Sequence, residues 1–188
     1  MILRSLTLLI SVLFLSGCSS RTDPAGHPAE AGGLELARPV PELAGEFRSV
    51  YRSGNVYFAG LPTEKGMRDL ARGGVKLVVN ALTDPEQSSR VPFDEPALLD
   101  SLAVDYIHIP VSPETFSRKD VDLFAEKMAT AQGEVLLHCA SSNRAGGLWA
   151  SYLYLHKGMS LEDAMAQGKA AGLGAPSMVA AVERVMGS

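Results

Sequence analysis

Short apolar runs alternate with capped helical patterns along most of this chain, and that alternation limits its fold more than any other feature. Two of the runs are nearly continuous apolar stretches, as strands buried on both faces of a parallel sheet are. The predicted strands are Val56–Ala59, Lys76–Asn80, Tyr106–Ile109 and Glu134–His138.

Helical patterns fill the intervals between the strands, and several of them begin at a capping residue. Thr63 and Ser160 are N-cap residues, and Ser117-x-x-Asp120 is a capping box. The predicted helices follow Thr63, cover Glu95–Leu102, run from Ser117 towards Gln132, cover Gly146–Lys157, and follow Ser160 and Ser177. Because such alternation produces right-handed β-α-β units, we predict one three-layer α/β domain. Its central sheet is mainly parallel, with helices on both faces.

The first 46 residues lack this alternation. Met1–Gly17 carries an apolar run that is too short to span a membrane, which takes about 20 residues, but is typical of a secretory signal peptide. Ser19–Gly45 is rich in Pro, Gly and Ala without a periodic apolar face, which predicts a flexible tether. The predicted divisions are a signal peptide at 1–17, the lipidated cysteine with a linker at 18–46 and a folded domain at 47–188.

The end of the signal peptide carries a second pattern. Leu15-Ser16-Gly17-Cys18 resembles the bacterial lipobox, which implies that Cys18 is lipidated and anchors a periplasm-facing protein to a membrane of the bacterial envelope. Ser19 resembles the residue that directs such lipoproteins to the outer membrane rather than the inner one. The alternative is a soluble secreted protein cleaved near Gly17.

Charge and residue counts exclude two other classes of function. The formal net charge is −4 and no basic stripe is present, so we expect no nucleic-acid partner. The two Cys and four His residues are scattered without ligand spacing, so we expect no metal site.

The loop between the last predicted strand and the next helix carries the chemistry. Ligands bind at the carboxyl ends of strands in parallel α/β sheets, and a tight loop that enters a helix presents N–H groups and the positive end of a dipole to an anion. Arg144 adds a planar fork that matches two phosphate oxygens. The predicted phosphate-binding residues are Ala140, Ser141, Ser142, Asn143 and Arg144.

Cys139 is the candidate nucleophile because the field that attracts phosphate also stabilises a thiolate. A thiolate beside an anion site can attack phosphorus and form a phosphocysteine. The residues alone leave a second interpretation open, since a cysteine at the end of a buried strand is often a small core residue.

The His138-Cys139 pair, the closing Arg144 and the helix after it resemble the signature of cysteine-dependent protein tyrosine and dual-specificity phosphatases. Three upstream segments occur in the order of the bacterial branch found in beta-lactamase-hydrolase-like proteins and their phosphatase-like domains: Asn55–Thr63, Gly74–Asn80 and Ile107–Val111. This resemblance implies metal-independent hydrolysis of phosphate monoesters on a phosphorylated substrate, without a cofactor. It also implies that His138 supports the loop by hydrogen bonding.

The loop departs from the standard pattern in ways that bear on activity. Four residues separate Cys139 from Arg144 where standard members have five, and Ala145 follows where many have Ser or Thr. Ser142 stands where Gly is usual, and a positive φ would be harder for Ser. The usual acidic Asp is missing, so Glu114 is the first candidate for the general acid.

Asp84 and Asp120 are weaker candidates for that acid, because Asp120 already caps a helix. Two alternative functions remain at this point. One is a rhodanese-type sulfurtransferase, whose Cys carries a persulfide. The other is a degenerate phosphatase that binds a phosphorylated or other anionic ligand without turnover.

Overall fold

The computed structural model describes residues 34–188 and contains one six-stranded sheet. The strands are β1 (Arg38–Pro39), β2 (Val50–Ser53), β3 (Val56–Ala59), β4 (Val75–Asn80), β5 (Asp105–His108) and β6 (Glu134–His138). Their spatial order is β1-β2-β3-β6-β4-β5. The pairs β3–β6, β6–β4 and β4–β5 are parallel, whereas β1–β2 and β2–β3 are antiparallel. The predicted mainly parallel sheet is confirmed.

Seven α-helices connect and cover the strands in the described part of the chain. They are α1 (Glu64–Arg72), α2 (Asp84–Arg90), α3 (Glu95–Ser101), α4 (Arg118–Thr130), α5 (Asn143–Lys157), α6 (Leu161–Ala170) and α7 (Pro176–Met186). The capping predictions are confirmed at three sites. Thr63 Oγ1 accepts from Gly66 N at 3.0 Å, Ser117 forms its box with Asp120, and Ser160 caps α6.

Two apolar clusters lie on opposite faces of the sheet and make the three layers. On one face α4, α5, α6 and α7 pack around Phe58, Leu137 and Trp149. On the other face α1 and α3 pack around Leu136 and Val78. Alternate residues of β6 enter the two clusters, as the pleat of a strand requires. The predicted α/β three-layer class is confirmed.

Close packing between α5 and α6 places the turn after α6 beside the loop that follows β6. A side chain at Gly146 would meet the Gly168 carbonyl oxygen at 2.5 Å and the Leu173 nitrogen at 2.7 Å. The two helices therefore approach more closely than residues with a Cβ would allow.

The structure differs from the prediction in one helix start, in three additional elements and in the placement of residues 34–46. Helix α5 begins at Asn143 rather than Gly146, and the short helix α2 and the strands β1 and β2 were not predicted. Residues 34–46 lie against the domain: Ser53 Oγ donates to the Glu35 carbonyl at 2.5 Å and Gln167 Nε2 to the Leu34 carbonyl at 2.8 Å. The fold thus extends further towards the N-terminus than the predicted boundary at residue 47.

The predicted signal peptide and Cys18 lie outside the described residues. Within residues 34–188, no helix is both long and apolar enough to cross a membrane.

Candidate active site

Cys139 lies at the carboxyl end of β6, between the ends of two neighbouring strands. Its N–H donates to the Ala59 carbonyl at 3.0 Å, and the Ala81 N–H donates to the His138 carbonyl at 2.8 Å. Strands β3, β6 and β4 therefore converge on the loop Cys139–Arg144, at the edge of a parallel sheet where ligands bind.

The loop turns into α5 through Ser142, which has φ +66° and ψ −7°. This left-handed conformation is uncommon for a residue with a side chain. The side chain is buried, and its hydroxyl donates to the Ala171 carbonyl at 2.7 Å. Gly172 has φ +108°, and a Cβ there would lie 2.8 Å from Ser142 Cβ. Ser142 thus takes the positive φ expected at this position, and the absence of a side chain at Gly172 leaves room for the Ser142 side chain.

The next loop residue is fixed by a second contact. Asn143 Oδ1 accepts from Gly174 N at 2.8 Å and from Ala175 N at 2.9 Å, which ties the start of α5 to the segment before α7. Because these two contacts use the side chain of Asn143, we expect this residue to contact an anion through its backbone N–H. Ser141 is exposed and forms an isolated bridge with Gly60, and Ala140 is half-buried.

Arg144 is held by a carboxylate that the sequence analysis missed. Its Nη1 donates to Glu86 Oε2 at 2.6 Å and to the Val111 carbonyl at 3.0 Å, and its Nη2 donates to Glu86 Oε1 at 2.8 Å. These hydrogen bonds from Arg144 are the largest cause that lowers the pKa of Glu86, to about 2. Burial lowers the pKa of Arg144, but Glu86 and Cys139 together outweigh burial and raise it.

Within residues 34–188, the oxygen acceptors of Arg144 leave one edge of its guanidinium unused, on the side where Cys139 interacts with it. A guanidinium has five N–H donors in a plane. Glu86 and Val111 occupy both Nη1 donors and one Nη2 donor of Arg144. The Nε–H and the second Nη2–H share the remaining edge, which is the geometry that binds two oxygens of one phosphate. Glu86 therefore orients the fork of Arg144 without using that edge.

Cys139 and His138 lie on opposite faces of the sheet. Cys139 is a free thiol and belongs to the core cluster on the α5 face. His138 is fully buried, and its Nε2 lies 2.7 Å from Oε1 of Glu95. Cys139 is also fully buried, as a structural cysteine would be.

The three candidate acids occupy different surroundings. Glu114 is exposed, and the hydrogen bond from Ser112 Oγ at 2.8 Å is the first cause that lowers its pKa. Asp120 accepts from Ser117 N and Oγ in the capping box. Asp84 is exposed, 3.7 Å from Nδ1 of His108. The loop of Glu114 nevertheless reaches the site, because Val111 on the same loop accepts from Arg144.

The sequence carried a signal for one of the two missed carboxylates. Thr83-x-x-Glu86 is a capping box, and Pro85 stands in the first turn, so α2 could have been found from its start. Nothing in the local pattern indicates that Glu95, at the first position of α3, is buried beneath the loop. No group of three or more His, Cys, Asp or Glu side chains among residues 34–188 could hold a metal ion.

The family described as "Beta-lactamase hydrolase-like protein, phosphatase-like domain" matches residues 58–153, half of the chain, including Cys139 and Arg144. The chain belongs to this family. Among curated relatives of this phosphatase-like domain, the beta-lactamase hydrolase-like protein of Agrobacterium fabrum is 34% identical over 46% of the chain. That of Xylella fastidiosa strain 9a5c is 28% identical over 67% of the chain. The matches span 20% and 30% of these relatives' own lengths.

Solved structures share the fold of this phosphatase-like domain. A DUF442 protein from Shewanella putrefaciens CN-32 has a TM-score of 0.60 at 25% identity, covering 77% of this chain and 95% of its own. TpbA of Pseudomonas aeruginosa has a TM-score of 0.60 at 23% identity, covering 81% and 90%. A cysteine-to-serine variant of TpbA in complex with phosphotyrosine also has a TM-score of 0.60, at 22% identity, covering 80% and 88%. The chain has the cysteine-phosphatase fold.

Proposed function

We propose that this chain is a metal-independent cysteine phosphatase that hydrolyses phosphate monoesters of the tyrosine or dual-specificity type. The observation that carries the proposal is the guanidinium of Arg144, which Glu86 holds at the end of the loop that starts with Cys139 without using the edge formed by Nε and Nη2. Family membership supports the reaction class. The phosphotyrosine complex of TpbA supports a phosphorylated substrate.

In the proposed reaction the thiolate of Cys139 attacks phosphorus and forms an S–P bond while the bond to the leaving oxygen breaks. Arg144 holds two equatorial oxygens, and the N–H groups of the loop and of the first turn of α5 hold the developing charge. A water molecule then attacks phosphorus, the S–P bond breaks, and the thiolate and inorganic phosphate are released. The chemistry needs no metal ion.

Glu114 is the proposed source of the proton for the leaving oxygen, because its loop contacts Arg144 through Val111. The lowered pKa of Glu114 keeps its carboxyl ionised at neutral pH. Alkyl phosphates, whose leaving group needs that proton, should therefore be poor substrates at neutral pH, and aryl phosphates better ones.

One alternative keeps structural support. A binding module that holds a phosphorylated ligand without turnover would need the loop and Arg144 but no acid, and the ionised Glu114 and the presence of Ala145 favour it. Family membership favours both of these over a sulfurtransferase.

The test compares the wild-type full chain with Cys139→Ser and Arg144→Lys on an aryl phosphate, with vanadate binding measured in parallel. We expect the wild type to hydrolyse the aryl phosphate and Cys139→Ser to be inactive. Arg144→Lys should bind vanadate more weakly than the wild type. Vanadate binding without turnover identifies the binding module. Sulfur transfer from thiosulfate to cyanide without phosphate release identifies a sulfurtransferase.

We also propose that Cys18 anchors the protein to a bacterial envelope membrane, periplasm-facing and in the outer rather than the inner membrane. The support is the Leu15–Cys18 pattern behind the short apolar run. A palmitate label should enter the wild type and be absent from Cys18→Ala, which should also retain its signal peptide. Equal labelling of both proteins would contradict the anchor.

A further inference from the structure

Glu95 is the one carboxylate in the described part of the chain that is fully buried, and the proposed mechanism gives it no role. It is 0% exposed, as is His138. A buried charge is costly unless hydrogen bonds and opposite partial charges offset the lost hydration. Glu95 sits at the first position of α3, where the helix dipole favours an anion.

Each oxygen of Glu95 has a partner on a different central strand. Oε1 lies 2.7 Å from Nε2 of His138 on β6, and Oε2 accepts from Nδ2 of Asn80 on β4 at 2.9 Å. Asn80 in turn receives the Leu82 N–H on its Oδ1 at 2.8 Å. The carboxylate thus fixes the ends of β6 and β4 relative to each other, at the edge of the sheet that bears the loop.

The two branches from Glu95 lead to the two groups that bind and attack phosphate. The first passes through His138 to the neighbouring residue Cys139. The second passes through Asn80, whose Nδ2 lies 2.5 Å from Oε1 of Gln87 on α2, and α2 also carries Glu86, which holds Arg144.

Within the described part of the chain, Glu95 is the one hydrogen-bond partner of the His138 ring. The Nδ1 of this ring is buried without a hydrogen-bond partner among residues 34–188. Glu95 is therefore the group that fixes the orientation of this ring, and removing Glu95 would leave both ring nitrogens without a side-chain partner at the base of the loop.

We propose that Glu95 is a positioning residue that sets the distance and angle between the Cys139 thiolate and the Arg144 fork. This role rests on the proposed phosphatase function and names a residue outside the loop on which that function depends. Displacement of a nucleophile by about 1 Å can cost on the order of 100-fold in rate. We therefore expect the effect in kcat rather than in binding of the phosphate group.

The informative substitution is Glu95→Gln, which keeps the size of the side chain but removes its charge and one of its two acceptor oxygens. If the Gln oxygen accepts from Asn80, its amide faces Nε2 of His138, and the ring proton must then move to Nδ1, which is buried without a partner among residues 34–188. Glu64→Gln is the matched control, because Glu64 also begins a helix but is exposed and pairs with Arg68 across one turn. Gln87→Ala interrupts only the Asn80 branch.

The measurements use the full chain: kcat and KM on an aryl phosphate, the dissociation constant for inorganic phosphate, and Tm. Glu95→Gln should lower kcat by about 10–100-fold while the dissociation constant for phosphate changes by less than about threefold. Gln87→Ala should give a smaller loss of kcat, and Glu64→Gln none.

Three outcomes overturn the inference. One is a kcat for Glu95→Gln within about twofold of the Glu64→Gln control. Another is a loss of kcat and phosphate affinity in the same proportion, which indicates that the substitution disturbs the phosphate site as a whole rather than the position of the nucleophile. The third is a lower Tm together with an unchanged kcat at temperatures below that Tm, which indicates that the carboxylate is purely structural. A wild type without turnover contradicts the proposed function itself, and the inference with it.

Discussion

Replacing Glu86 by Gln removes the charge that holds Arg144 while keeping the size of the side chain. Hydrogen bonds from Arg144 are the first cause that places the pKa of Glu86 at about 2 instead of the ordinary 4.5, and burial opposes them. This difference corresponds to roughly 3 kcal/mol in favour of the ionised form. Because the side chain is 26% exposed, solvent screening reduces the expected contribution to folding to about 1–2 kcal/mol.

The sign of the pH dependence follows from the lowered pKa. The contribution is complete above the ordinary pKa of 4.5 and is lost as the pH falls towards the folded value of about 2. Urea unfolding should therefore show Glu86→Gln about 1–2 kcal/mol less stable than wild type at pH 7, with less than about half of that difference left near pH 3.

Glu64→Gln serves again as the control, since the Glu64–Arg68 pair at 2.6 Å lies on the surface. Glu64→Gln should lower the free energy of unfolding by no more than about 0.5 kcal/mol at both pH values. Equal stability of Glu86→Gln and Glu64→Gln at pH 7, or a difference that stays constant between the two pH values, would refute the assigned role of Glu86.

Three other substitutions test separate parts of the site. Arg144→Lys should lower kcat/KM on an aryl phosphate by about 10²–10³-fold, because Lys cannot present two donors in a plane; a loss below about tenfold would contradict bidentate binding. The lowered pKa of Glu114 predicts that wild-type hydrolysis of alkyl phosphates rises as the pH falls. In acid, the wild-type rate on alkyl phosphates should exceed that of Glu114→Gln by about 10²–10⁴-fold, whereas the rates of the two proteins on aryl phosphates should be nearly equal. Identical pH profiles of the two proteins on alkyl phosphates would exclude Glu114 as the acid. Gly172→Ala should lower stability by about 1–3 kcal/mol in thermal unfolding, because its Cβ would lie 2.8 Å from that of Ser142 at a φ of +108°. Gly174→Ala is its control and should change little, because a Cβ added there would have no atom of residues 34–188 within 4 Å; equal losses in both would contradict the packing argument.

The elements that could be predicted from the sequence are those with local signatures. The centre of β6, Val135–Leu137, is apolar because β6 lies between two other strands, and the Ser117 box predicts the start of α4 from a contact within one turn. The loop Cys139–Arg144 could be located for the same reason, since its position depends on the strand before it and the helix after it.

The parts that were missed depend on contacts far apart in sequence. Glu86 meets Arg144 across 58 positions, and Glu95 meets His138 across 43. The segment 34–46 has the composition of a linker, yet the Leu34 carbonyl accepts from Gln167 across 133 positions. Local periodicity contains no information about such pairs, because burial is decided by the assembled sheet.

Trapping of the covalent intermediate distinguishes a cysteine phosphatase from a protein that only binds phosphate. The full chain is mixed with a labelled aryl phosphate in the presence of a metal chelator, quenched in acid within one turnover, and its peptides are analysed by mass spectrometry. We expect a phosphoryl group on the sulfur of Cys139 that disappears as phosphate is released, and neither label nor turnover in Cys139→Ser. Phosphate release without label on Cys139, or turnover that survives in Cys139→Ser, would contradict it.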